Sequence, residues 1–178
     1  TAWDCSHLPS GFGLERHMKF IVHESPVRRG DSDYIARADL APFGLEGEVE
    51  QLWLKKLEDG SLELCCIPFR VYGISLGDIV TLSPDGTTVA RLVRKSGRRA
   101  LRVFLLETPS ASSVAREFDI EISRLGLLSE WSGDRHAAID VPIGFDVASL
   151  IGLLEREEAA SRAFWEWADS VSFSSGEA

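Results

Sequence analysis

Cysteine is scarce in this 178-residue sequence: Cys5, Cys65 and Cys66 are odd in number, two are adjacent, and no C-x-x-C pair occurs. That removes the usual sequence basis for a disulfide scaffold. Cys5 and His7 are two potential metal ligands without a second pair, so neither a metal site nor a cofactor is expected. No apolar run reaches membrane length, and the start carries no basic-then-apolar leader pattern. The expectation is a soluble cytoplasmic protein with no membrane partner. Positive charge is also short: 19 Lys and Arg against 28 Asp and Glu leave a net charge of −9. With no helix-turn-helix or RNP pattern, nucleic acid is an unlikely partner. What the chain does have, at 44% hydrophobic residues, is enough apolar material for a real core.

That material is arranged around residues 65–82, CCIPFRVYGISLGDIVTL. Ile67, Phe69 and Val71 alternate with Pro68, Arg70 and Tyr72, which predicts a strand with one buried face, at an edge or beginning here because Pro68 has no N–H to donate. Gly73 and Gly77 bracket a bend, and Asp78 precedes the β-branched run Ile79–Leu82. Asp78 fits ordinary turn chemistry better than a functional carboxylate. Gly73-Ile74-Ser75-Leu76-Gly77 matches the nucleophile-elbow pattern, but that turn needs a helix after the serine, and Asp-Ile-Val-Thr-Leu-Ser-Pro does not start one. His136 is the single downstream histidine, and nothing local brings it to Ser75. A serine hydrolase is not expected.

Taken in order, residues 1–17 lack periodicity and precede the one methionine, Met18, so they read as an upstream arm, disordered or not native. Residues 18–97 read as a small antiparallel β unit, barrel-like, with a long loop at 24–48 anchored by Tyr34-Ile35 and Phe43-Gly44-Leu45. Val49–Leu57 is a strand, and Glu58-Asp59-Gly60 turns it into Leu62, Leu64 and Cys66. Arg91, Arg94, Lys95, Arg98, Arg99 and Arg102 form the only basic concentration. Arg98-Arg99 beside Ser96-Gly97 is a candidate grip for a phosphate or an acidic partner; pairing with neighbouring acids is the plainer expectation. Residues 98–170 read as a β-α-β-β-α-β ferredoxin-like unit. Its helices are marked by Val114, Phe118, Ile122 and Leu125, stopped by Gly126, and by Val147, Leu150, Ile151 and Leu154 behind Asp146. His136, Trp165 and Trp167 read as packing residues, and 171–178 as a flexible tail. The fold class is α+β.

Several stretches resemble one family: Glu50-Gln51-Leu52-Trp53, Gly60, Ile67-Pro68-Phe69, Tyr72-Gly73, Gly77-Asp78-Ile79-Val80, Ser96-Gly97, Arg102-Val103, Leu125-Gly126, Asp140-Val141-Pro142 and Trp165-Glu166. In order and spacing they are similar to a bacterial family known as domain of unknown function 4265. The resemblance implies membership and no activity. In that family's pattern the Ser-Gly pair leads into His-Ser-Thr, where this chain has Arg98-Arg99-Ala100. No catalytic constellation is evident. The expected function is a non-catalytic binding or interaction protein, regulatory or immunity-like, with another protein or a small anionic ligand as partner. The alternative is a small enzyme or small-ligand sensor with its site between the two units. Tyr72, Asp78, Ser96, Arg98, Arg99 and Asp140 are the candidate binding residues.

Overall fold

Leu52 and Leu54 are fully buried, and the burial they start spreads to both edges of one long strand. The computed structural model describes residues 18–107 and 110–176. Its longest strand, β3 (Glu48–Lys56), pairs in parallel with β1 (Lys19–Ile21) and antiparallel with β2 (Tyr34–Asp39). Beyond the Asp59-Gly60 turn the meander continues through β4 (Leu62–Leu64), β5 (Ile79–Leu82) and β6 (Val89–Arg94). Gly60 holds φ at 82°, the left-handed conformation this hairpin needs. β1 and β2 both pair with Val49 and Glu50, so they occupy opposite edges of β3.

Three expectations change here. The first sheet is mixed rather than antiparallel, since β1 runs parallel to β3. Among the described residues the sheet does not close: one bridge, Arg37 to Thr88, ties β2 to the residue before β6, and no ladder completes a barrel. The stretch 24–48 is not one long loop, because β2 crosses it. The buried positions of β2 are Ala36 and Ala38, whose small side chains give a weak alternation signal.

The second sheet has strand order β10-β7-β9-β8, all antiparallel. Its strands are β7 (Arg99–Leu105), β8 (Leu128–Ser132), β9 (His136–Val141) and β10 (Ala163–Trp167). Helix α1 (Ala111–Leu125) joins β7 to β8, and α2 (Ala148–Ala159) joins β9 to β10. The protein is therefore a mixed α+β fold with two sheets and, among the described residues, two α-helices. Val114, Phe118 and Ile122 of α1 and Leu150 and Leu154 of α2 cover Leu101, Val103, Leu105 and Ile139 on one sheet face. Each such side chain contributes about 1.5–3 kcal/mol through burial. Gly126, at φ 68°, ends α1 with its N–H returned to Ile122 and Ser123.

The other face carries Ala100, Ala138 and Ala168, and these belong to the core of the first sheet. The two sheets thus pack through small residues, which lets the segment between β4 and β5 lie close to β7 and β9. That segment, 65–78, is where a strand was expected and none forms. Ile67, Pro68 and Phe69 are buried consecutively, not alternately, and their backbone finds partners outside any ladder. Past β10 the chain returns to the first sheet: Phe173 packs against its core, and the Gly73 N–H donates to the Ala168 carbonyl at 2.8 Å.

Candidate functional site

A buried backbone segment must satisfy its N–H groups, and here two carboxylates do the work of a neighbouring strand. Glu50, from β3, accepts from the N–H groups of Phe69, Arg70 and Val71 at 2.6, 2.8 and 2.9 Å. Glu130, from β8, accepts from Ile67 at 2.8 Å and Val27 at 3.1 Å. Pro68, between them, has no N–H to place. His23 bridges the two acids, its Nδ1 at 2.5 Å from Glu130 and its Nε2 at 3.0 Å from Glu50. Its ring stacks on Phe69 at 4.5 Å. Burial alone would push the imidazole pKa down; contact with Cys66 and the hydrogen bonds to Glu130 and Glu50 push it up to about 12. Burial pushes Glu50 up, but His23 and Arg102 prevail and hold it below the ordinary carboxylate range. Burial pushes the Cys66 thiol up, which makes it inert rather than nucleophilic.

Against this braced segment lies a cleft of about 350 Å³. On one side are Phe43, Leu45, Phe69, Arg70 and Tyr72; on the other are Arg102, Phe104, His136, Phe164 and Glu166 from the helix-free face of the second sheet. Strand register sets that second wall, since Phe164 pairs with Phe104, Phe104 with His136, and Glu166 with Arg102. Arg102 is buried and committed: it donates to the carbonyls of Pro68 and Val71, contacts Glu166 at 3.5 Å and lies 4.8 Å from the Tyr72 ring. Tyr72 donates to Glu166 at 2.8 Å. Burial and that carboxylate push its phenol up, so it stays protonated.

Arg70 is different. Among the described residues it makes no ion pair, and its Nε is buried without a hydrogen-bond partner. His136 also has no hydrogen bond among them; burial first, then the charges of Arg70 and Arg102, push its pKa down to about 4. The cleft therefore offers one unneutralised guanidinium and a neutral imidazole between aromatic walls, a setting that favours an anion. Among the described residues, no group of three His, Cys, Asp or Glu side chains is placed to hold a metal ion.

Of the six candidate binding residues named from sequence, only Tyr72 lines this cleft; His136 and Trp165, read as packing residues, line it too. Asp78 is fully buried and accepts from Ser75 N at 2.9 Å, Ser96 N at 2.7 Å and Lys95 Nζ at 3.1 Å, bracing the bend to the end of β6. Ser96 donates to the Leu76 carbonyl at 2.8 Å. Arg98 grips Asp140 through Nε at 2.8 Å, which staples β9 to the start of β7. Arg99 pairs with Asp169 at 2.8 Å and lies 3.8 Å above the Trp167 ring. The basic stretch is thus largely spent on internal acids. Ser75 is buried, unlike an elbow nucleophile. His23, Glu130, Arg70 and Glu166 escaped the sequence reading. The signal available was the run of buried apolar residues at 65–69, which forces its backbone donors to seek acceptors elsewhere in the chain.

No curated protein matches the chain. A hypothetical protein from Neisseria gonorrhoeae, of known crystal structure, is similar with a TM-score of 0.58 and 21% identity, over 68% of this chain and 83% of that one. At that identity the likeness speaks for the fold alone. The family model described as "Domain of unknown function (DUF4265)" matches residues 50–167, well over half of the sequence and all of the cleft except Phe43 and Leu45. The chain belongs to that family.

Proposed function

We propose that the protein is a non-catalytic binding module, a sensor in type, whose ligand is a small organic anion held in the cleft between the two sheets. Arg70 carries this reading: a half-buried guanidinium with no counter-ion among the described residues, set among aromatic side chains, is a costly arrangement unless something else supplies the charge. The unit β7–α1–β8–β9–α2–β10 is read here as ferredoxin-like, on its element and strand order. The cleft lies on its helix-free face. Tyr72 reads as a donor rather than a nucleophile, since its phenol is pushed up. The buried thiols of Cys65 and Cys66 suit a reducing, cytoplasmic setting.

Calorimetry with a panel of small aromatic carboxylates and sulfonates tests the reading. Wild-type protein is expected to bind, and Arg70→Gln to bind at least about tenfold more weakly with an unchanged thermal midpoint. Equal affinity in the variant, or no binding of any anion, overturns it. A second reading, docking of another protein, draws on Phe20, Val22 and Ile35, exposed around one shallow hollow. In that case Phe20→Ser with Ile35→Ser abolishes capture of the partner and leaves anion binding intact.

A further inference from the structure

We propose that the anion taken by the cleft is a monoanion with an aromatic body, and that His136 becomes protonated as it seats, so that each ligand draws one proton from solvent. This rests on the reading of the cleft given above and adds a ligand class and a regulation to it.

The walls define the body. Phe43, Phe69, Phe104 and Phe164 bring four rings to a space of about 350 Å³, a size that suits one flat group. The charges define the head. Of the cleft's two guanidiniums, Arg70 has no ion-pair partner among the described residues, while Arg102 has its donors committed to Pro68, Val71 and Glu166. Glu166 keeps a carboxylate at the same cleft, which disfavours a second negative charge on the ligand.

His136 is placed to answer that head. Its ring lies 5.5 Å from Phe69 and 6.0 Å from Phe104, with no hydrogen bond among the described residues. The groups around it come from every neighbouring element. Arg70 comes from the 65–78 segment and Arg102 from β7; Ser132 stands opposite in register on β8, and Glu166 lines the same cleft from β10. Glu50 acts from β3, and the charged His23 lies behind Phe69. Burial and the two guanidiniums keep the imidazole neutral, while Glu50 pulls the other way. Burial and Arg102 go on opposing protonation, but an anion seated at Arg70 cancels the Arg70 charge, the larger of the two guanidinium effects. It also gives an imidazolium N–H the acceptor it otherwise lacks.

The experiment is calorimetry of the full chain with naphthalene-2-sulfonate, whose single charge does not change between about pH 5 and pH 8, in two buffers of different protonation enthalpy. Affinity is expected to rise at least about fivefold from pH 7.5 to pH 5, with uptake approaching one proton per ligand. The His136 ring signal should titrate at higher pH in the saturated protein than in the free one. His136→Gln should bind at the strength wild type shows at pH 7.5, whatever the pH. Constant affinity without proton uptake overturns the inference and leaves the cleft reading standing, as does a pH dependence that persists in His136→Gln. Equal or tighter binding of naphthalene-2,6-disulfonate overturns the monoanion. Absence of binding at every pH overturns the cleft reading and the inference together.

Discussion

His23 carries a charge in a place where an imidazole would ordinarily lose it. Loss of solvent pushes the ring's pKa down, while contact with Cys66 and the hydrogen bonds to Glu130 and Glu50, at 2.5 and 3.0 Å, push it up and prevail. In the unfolded chain the ring releases its proton near its ordinary value of 6.5; in the folded protein it holds it to about 12. Its stabilisation is therefore complete below pH 6.5 and lost as pH rises through the alkaline range toward 12. Urea denaturation at increasing pH should show that decline, and His23→Gln should flatten it. The same variant should cost about 3–5 kcal/mol at neutral pH, because Glu50 and Glu130 are left buried without their cation. An alkaline limb unaltered by the substitution would place the titrating group elsewhere. None of this was legible in sequence: His23 is 27 residues from one partner and 107 from the other. The six candidates named from sequence stood out because turns and charge runs are local signals, and local signals found braces at Asp78 and Arg98 rather than the cleft.

At the scale of elements, the segment 65–78 shows how a sequence pattern can mislead. Ile67-Pro68-Phe69-Arg70-Val71-Tyr72 has the alternation of a strand, yet four of its N–H groups end on carboxylates. Periodicity reports burial, and a segment enclosed on both sides satisfies the pattern without a ladder. The helices were easier, since Val114, Phe118 and Ile122 recur at helical spacing and Gly126 stops the run. Gly73 provides a test of how the segment is held. Its φ is 75°, and a Cβ there would lie 2.0 Å from the Phe173 backbone nitrogen. Gly73→Ala should destabilise by more than the ~1 kcal/mol of a left-handed alanine alone, because the backbone of 172–173 must also move. Gly97→Ala, with its nearest neighbour at 3.6 Å, is the control and should show only the conformational cost. Equal losses at the two positions would mean that the tail yields without resistance.

For the whole molecule, the decisive fact is that the core of the first sheet takes in residues of the second, while the helices cover a separate core on the other face. Ala100, Ala138 and Ala168 from the second sheet pack among the buried residues of the first, and His23–Glu130 crosses the same junction. Unfolding should therefore be a single cooperative transition. Urea curves followed by a fluorescent probe on β3 and by one on α1 should coincide; two separated midpoints would show that the sheets unfold independently. The change from meander to alternating helix and strand falls where the first sheet ends with β6 and the second begins with β7. The sharing of the first sheet's core was not legible, because Ala100 in β7 and Ala138 in β9 are small side chains that carry little burial signal until the partner sheet is seen.

The return of the chain from β10 to Gly73 has a consequence for synthesis. The first sheet is translated early, but its core includes Ala168 and receives Phe173, and its bend hydrogen-bonds to the Ala168 carbonyl. A nascent chain that has emerged only as far as β6 leaves the 65–78 segment with Glu130 unmade and the seat of Phe173 empty. The half made first must wait for the half made last, so folding on the ribosome gains little from its early start.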